Sequence, residues 1–422
     1  MYDIEKTKDS CQLMAWIVWL AAVFFYFYEL FVRVAPGAML QEMQAYYGVN
    51  AGTFGMASGV YYYVYAPMQL VAGVMLDRLG GRVIMAWASI IVTIGCTIVL
   101  LPINSVVVFA LARFFMGFGS AFGFIGVMYL ATVWIHKGKL SLVSGLTTAT
   151  GFIGAILALK VIPDFVFDIG WKTCWKRSAC FGVLSTAILL LFVPKTPVWE
   201  QKRKEANFEE FSDKNFLTGF LEVIKNSQTW VLGIVGGLLY MPTTVFGDLW
   251  GKEFVESVCG VSDGGMATAM LYTGWLFGAP FWGFISDKSG LKKSLLIFST
   301  ISCPLLMTIM LLLDDISLDT IKILLFLTGF VSAPQVICFV ASIEINPKYA
   351  SGSAIAVVNM IVTFVGGLLQ PAVGYILDML SGNSDTHNYS STDFRIAMAV
   401  MPIAVALGFF ITLLIKLKRK HE

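Results

Sequence analysis

Apolar residues in this chain arrive in blocks. They show neither the alternation of a half-buried strand nor the single stripe of a surface helix. Met14 to Phe31, Ile84 to Leu101, Phe181 to Val193, Ser294 to Leu313 and Ile396 to Ile415 are long or nearly free of charge. Such blocks predict membrane-spanning helices, because the hydrocarbon core of a bilayer takes roughly 20 apolar residues per helix. The pattern predicts twelve spans, near residues 12–40, 53–77, 83–102, 106–134, 141–166, 177–194, 228–254, 265–286, 292–313, 320–343, 352–378 and 394–416. Between the sixth and seventh lies "KTPVWEQKRKEANFEEFSDKNF", a polar linker with 10 charges in 22 residues. The expected organisation is a six-helix bundle over 1–194, a linker over 195–227 and a second six-helix bundle over 228–422: an all-α membrane protein.

Composition agrees. Of 422 residues, 57% are hydrophobic and only 13% charged, more apolar surface than a soluble domain of this size hides. A net charge of +2 gives no reason to expect a nucleic-acid partner, and no phosphate-cradling Gly-rich loop appears. Nothing resembles a catalytic triad or metal cluster, so the reading is no enzyme, no cofactor and no metal. The seven cysteines form no C-x-x-C pair, and a disulfide from Cys174 or Cys180 to Cys259 is a minor alternative. The N-terminus lacks a small-residue cleavage site and reads as a retained first helix. Of the 29 Lys and Arg, 20 fall in the termini, the linker and the loops on one side. The positive-inside rule makes that side cytoplasmic, with both termini on it.

A repeat ties the halves together. "GVMLDRLGGR" at Gly73 to Arg82 and "GFISDKSGLK" at Gly283 to Lys292 pair Gly73 with Gly283, Asp77 with Asp287, Arg78 with Lys288, Gly80 with Gly290 and Arg82 with Lys292. Both copies follow the second helix of their half, on the cytoplasmic side. With "RFFMGFGSAFGFIG" from Arg113, they give nearly the whole chain a resemblance to the major facilitator superfamily of secondary transporters. The family's loop has the form G-x-x-x-D-[RK]-x-G-[RK]-[RK], and its fourth helix carries R-x-x-x-G-x-G. The resemblance implies alternating access, with Gly73, Asp77, Arg78, Arg82, Gly283, Asp287 and Lys288 as inner-gate residues. In the family pattern Asp77 faces the start of helix eleven at Ser351-Gly352, and Asp287 that of helix five at Ser144-Gly145. The residues themselves leave a plainer alternative, two tight solvated hairpin loops.

Ionisable groups inside the spans cost about 2.5 to 3.5 kcal/mol each on insertion scales, so each is a site candidate. Glu29 and Arg33 stand four apart on one helix face and can pair, or Arg33 can snorkel outward. Arg113 lies deeper, as a ligand contact or a structural hydrogen-bond donor. Lys160 fits snorkelling and ligand contact equally. Tyr61 and Tyr65 share a face in "YYYVYAPMQ", and Tyr240, Gln335 and Asn359 fall near the midplane beside helix-interrupting prolines. Asp248 and Lys252, four apart, read as an outer gate pair.

These give the expected sites: Arg33, Arg113, Lys160, Tyr61, Tyr65, Tyr240, Gln335 and Asn359 for substrate, and Glu29 and Asp248 for a coupling proton. The cationic excess favours a small organic anion. The fifth helix lacks the Gly-Pro step of many drug/proton antiporters, which favours uptake over drug efflux. "YELFVRVAPGAMLQEMQAYYGV" and "YYYVYAPMQLVAGVMLDRLGGR" look similar to bacterial nutrient importers, including carboxylate-siderophore carriers, and to lysosomal dipeptide carriers. The leading expectation is a monomeric importer in a bacterial inner membrane, facilitative or proton-coupled, for an organic anion such as a polycarboxylate or siderophore. The alternative is an amino-acid or dipeptide carrier, with Glu29 on the amine and Arg113 on the carboxylate; a nontransporting receptor has less support.

Overall fold

The computed structural model describes residues 2–135, 140–194, 213–262, 264–347, 350–381 and 389–417, with side chains from residue 12 onward except 77–78, 140–142 and 213–217. Each expected span corresponds to a helix or an unbroken run of helices. We number these α1 (Tyr2–Ala38), α2 (Ala51–Leu79), α3 (Gly81–Ile98), α4 (Val106–Trp134), α5 (Leu140–Ile169), α6 (Trp171–Phe192), α7 (Ser227–Cys259), α8 (Gly264–Ser289), α9 (Lys292–Leu312), α10 (Leu318–Ile345), α11 (Ser351–Leu380) and α12 (Ser391–Leu413). Among the described residues, nine of them are long and apolar enough to cross a membrane; α2, α5 and α8 are not among these nine. Two shorter helices, Leu40–Tyr47 and Asp213–Lys225, follow α1 and precede α7.

Helix ends follow local chemistry. Asn50 caps α2 by accepting from Thr53 N–H at 3.0 Å, and Ser390 and Asp393 form a reciprocal capping box at α12. Gly80 and Gly290, the paired glycines of the repeat, both turn the chain at positive φ, 84° and 67°. A side chain there would be strained, which explains why both copies carry glycine.

Four spans are interrupted among the described residues: α12 breaks at Ala399, between Ser391–Met398 and Val400–Leu413, and the other three breaks sit where the polar residues are. In α4 a kink at Ala121 and Phe122 separates Val106–Ser120 from Gly123–Trp134. In α7, Pro242–Trp250 is wound as a π-helix between two α segments. In α10, Ala333–Val336 is a 3-10 turn containing Pro334. Proline supplies no N–H to the ladder, so winding shifts around it.

The halves meet along α2 against α11, α5 against α8, and α1 against α7. The face where both termini leave differs from the opposite face in how closely the helical glycines of the two halves approach. At the opposite face the halves touch backbone to backbone: a Cβ on Gly55 would sit 3.1 Å from Gln370 O, one on Gly59 3.1 Å from Gly367 O, and one on Gly37 2.6 Å from Asp248 O. At the terminus face Gly73, Gly145, Gly283 and Gly352 have no heavy atom within 4 Å of where a Cβ would stand. Among the described residues the halves are therefore in backbone contact at the opposite face, and parted at these four glycines of the terminus face. Between α2 and α11, Asn359 donates to Gln69 across the halves.

Candidate functional site

Charged and phenolic groups from α1, α2, α4, α7 and α8 converge at the centre. On α1 the i,i+4 spacing works as expected. Arg33 Nη2 donates to Glu29 at 2.9 Å (Oε1) and 3.3 Å (Oε2), and both residues are buried, so Arg33 does not snorkel. Tyr61 closes a triangle: its hydroxyl accepts from Arg33 Nε at 3.1 Å and donates to Glu29 Oε2 at 3.2 Å. The Arg33 guanidinium lies 4.9 Å from the Tyr65 ring centroid, within cation–π range.

Arg113 is placed differently. Its guanidinium lies 4.5 Å from the centroid of Tyr61, Nε donates to the Ser58 carbonyl at 3.2 Å, and Nη1 touches only Met116 Sδ at 4.0 Å. Gly117 lets α4 approach the Tyr61 backbone so closely that a Cβ there would overlap it, which holds Arg113 against the tyrosine. The residue is 1% exposed and, among the described residues, forms no salt bridge.

Across the interface, Asp248 sits in the π-helical part of α7 and accepts hydrogen bonds from Tyr62 of the first half and Tyr272 of α8. Tyr62 thus bonds the two halves at the centre. Tyr240 lies edge-on to Trp275, with centroids 5.4 Å apart, and Phe152 of α5 stands 5.9 Å from Trp275. Trp275 Nε1 and Gln335 Nε2 are buried donors with no acceptor among the described residues.

Several expected placements do not hold. Lys160 is exposed on α5 and stands apart from the cluster. Asp248 and Lys252 do not pair. Four residues complete a turn on an α-helix, but Asp248 lies in wider π winding, which turns it inward. Lys252, on the α segment beyond, pairs with Glu253 at 3.2 Å and Glu256 at 3.4 Å. Asn359 is engaged with Gln69, away from the cluster. The cationic excess is also gone: with Lys160 outside and Asp248 inside, two guanidiniums face two carboxylates. Cys174, Cys180 and Cys259 are all free.

Of the repeat, the side chains of Asp77 and Arg78 lie outside the described residues. Arg82 donates to Leu190 O at 2.7 Å, while Asp287 and Lys288 are exposed at the parted face.

The closed face holds a contact that sequence reasoning missed. Asp378, near the end of α11, accepts from the first N–H groups of α2, Ala51 at 2.9 Å and Gly52 at 2.7 Å. Tyr389 donates to the same carboxylate at 2.8 Å. Burial, and then the Asp378 carboxylate beside it, push this phenol up, so it stays protonated as a donor. Beside this contact, Gln41 donates to Glu253 across the halves. One prediction follows from the placement of Lys160: Lys160→Gln should leave ligand affinity within about twofold, as for a surface change. An equilibrium binding titration checks this.

A family model described as Major Facilitator Superfamily matches residues 18–371 and 260–422. The chain is 26% identical over 150 residues to the rice protein named "Probable anion transporter 6", 36% of this chain and 35% of that protein. It is 26% identical to the "Sialic acid transporter NanX" of Escherichia coli over 55% of this chain and 56% of that one. It is 22% identical to the "Membrane sensor protein UhpC" of Escherichia coli over 86% and 84% of the two chains. The chain thus spans about a third to about half of the first two relatives and most of the third. Among solved structures, a bacterial homolog to the human lysosomal transporter Spinster, inward-facing and unoccupied, superposes with a TM-score of 0.74 at 15% identity, over 95% of this chain and 97% of that one.

Proposed function

The chain belongs to the Major Facilitator Superfamily, a family of multi-pass membrane transporters and not of enzymes, and from that premise we propose that it carries a small organic anion by alternating access. One observation carries the reading: Arg113 is a buried guanidinium with no carboxylate partner among the described residues, while Arg33 is committed to Glu29. A buried charge left unpaired costs several kcal/mol unless something meets it, and a carboxylate meets the planar guanidinium with two parallel hydrogen bonds. The orphan donors Trp275 Nε1 and Gln335 Nε2 suit further acceptor oxygens on the same solute. Relatives named as anion and sialic acid transporters agree in solute class. A polycarboxylate or carboxylate siderophore fits this chemistry. An amino acid or dipeptide fits less well, since Glu29, which would take the amine, is held by Arg33 and Tyr61.

Charge balance supports proton coupling. Glu29, Arg33, Arg113 and Asp248 sum to zero, so an entering anion leaves its own negative charge, one unit or more, uncompensated in a low-dielectric centre. Each proton taken up with it, on Glu29 or Asp248, removes one unit of that excess. Closure at the face away from the termini, with parting at the terminus face, corresponds to an inward-open state if the termini are cytoplasmic.

Reconstituted protein in vesicles tests the reading. Uptake of a radiolabelled polycarboxylate such as citrate should proceed, accelerate under a proton gradient of matching direction, and acidify the lumen. Transport without proton movement would remove the coupling. Binding without transport or counterflow would favour a sensor, as the similarity over most of a membrane sensor protein allows.

A further inference from the structure

Between α9 and α12, on the outside of the second half, runs a groove of about 550 Å³. Its walls are made by Pro304 and Thr308 from one helix and Ala399, Pro402 and Ala406 from the other, with Arg395 at one end. Small residues and prolines leave the hollow, while Leu312 and Ile403 on its flanks are 73% and 60% exposed. Both walls are long and apolar enough to cross a membrane, so the groove faces acyl chains. From Arg395 to Ala406 the helix rises about 16 Å at roughly 1.5 Å per residue. That is about half of a hydrocarbon core of roughly 30 Å, the depth of one leaflet.

The end of the groove is polar and bipolar. Arg395 Nη1 donates to Leu311 O at 2.8 Å, which fixes the guanidinium at the last turn of α9. Asp314 Oδ1 stands 3.6 Å from Nη1 with its side chain 97% exposed. Of the other carboxylates around this rim, Asp393 is held in the capping box and Asp319 lies 3.6 Å from Lys322, while Asp315, next to Asp314 in the turn, is exposed. A cation and an exposed anion thus lie side by side at headgroup depth, with no excess of positive charge.

We propose that this groove is a binding site for phosphatidylethanolamine in the leaflet at the closed face of the molecule. An acyl chain lies along the groove, the phosphate accepts from Arg395, and the primary ammonium donates to Asp314. The charge pattern selects among lipids. Phosphatidylcholine matches the charges but has no N–H to donate, and phosphatidylglycerol offers the phosphate without a cation for Asp314. The site lies on the lipid side of the second half and is independent of what the centre carries.

Delipidated full-length protein, titrated separately with the three lipids and read by native mass spectrometry, tests the proposal. One charge-assisted hydrogen bond at a partly exposed site should favour phosphatidylethanolamine over phosphatidylcholine by about threefold to tenfold. Asp314→Asn, at an exposed position where folding is insensitive, should abolish that preference while leaving phosphatidylcholine binding unchanged. Arg395→Gln should weaken both lipids, and Ala406→Phe should weaken both by filling the groove. Equal binding of the two lipids, tighter binding of phosphatidylglycerol, or a preference that survives Asp314→Asn would each overturn the assignment.

Discussion

Replacing Asp378 by alanine is expected to open the closed face. In the native protein Asn50 caps α2 through Thr53 N–H, while the Asp378 carboxylate, which comes from the other half of the molecule, accepts from the two N–H groups before it, so those two donors are satisfied this way only while the halves are together. An N-cap contributes about 0.5 to 2 kcal/mol, and a negative charge on a partly buried helix N-terminus up to about 2. Losing about 1 to 3 kcal/mol from the closed state raises the population open at that face by about 5- to 150-fold. Asp378→Asn keeps one acceptor oxygen and loses the charge, so it should fall between alanine and the native protein. Tyr389→Phe, which removes one of three donors to the carboxylate, should be milder again. The readout is a cysteine at Leu249, which is 1% exposed and packed against Gly37 across the interface, with Cys180 and Cys259 changed to serine. Its labelling by a membrane-impermeant maleimide should speed up in the order native, Asn, Ala. An unchanged rate in a folded Asp378→Ala protein would show that the contact does not hold the face shut.

Much of this architecture is legible in the sequence. Blocks of apolar residues fix membrane helices because the bilayer demands length and apolarity together, and those are local properties of sequence. The glycines at 80 and 290 were legible as a repeat, and positive φ supplies the reason. Boundaries were less so: the sixth span was expected from residue 177, yet the helix starts at Trp171, because Lys172, Lys176 and Arg177 resemble loop residues while being compatible with a helix end.

What could not be read was rotation and partnership. Helix α5 is apolar nearly all round, so nothing in it says which way Lys160 faces. The π winding that turns Asp248 inward leaves no clear mark beyond Pro242. Tyr62 meets Asp248 across 186 residues and Asp378 meets Ala51 across 327, separations that no local pattern encodes. Asp378 in "YILDML" reads as an ordinary interfacial carboxylate until the start of α2 is seen beside it.

The second large effect is expected at Arg113, where a solute contact and a structural role make different demands on one pair of measurements. If its guanidinium holds the carboxylate of the solute, Arg113→Lys keeps the charge but loses the fork geometry, and Arg113→Ala loses both. A charge-assisted hydrogen bond contributes about 1.5 to 3 kcal/mol, so affinity in the alanine protein should fall by about 10- to 150-fold, with lysine in between. Stability should move little or even rise in the alanine variant without ligand, because a buried, unpaired cation is removed. A structural Arg113 predicts the reverse pattern. Its bond to Ser58 O and its stacking on Tyr61 would then hold α4 against α2, so both variants would melt lower without ligand, while folded protein would bind as before. Isothermal titration with the transported anion and ligand-free melting, on the same three purified proteins, separate the two. Native affinity in a folded Arg113→Ala protein would remove the residue from the binding site and, with it, the observation on which an anionic solute rests.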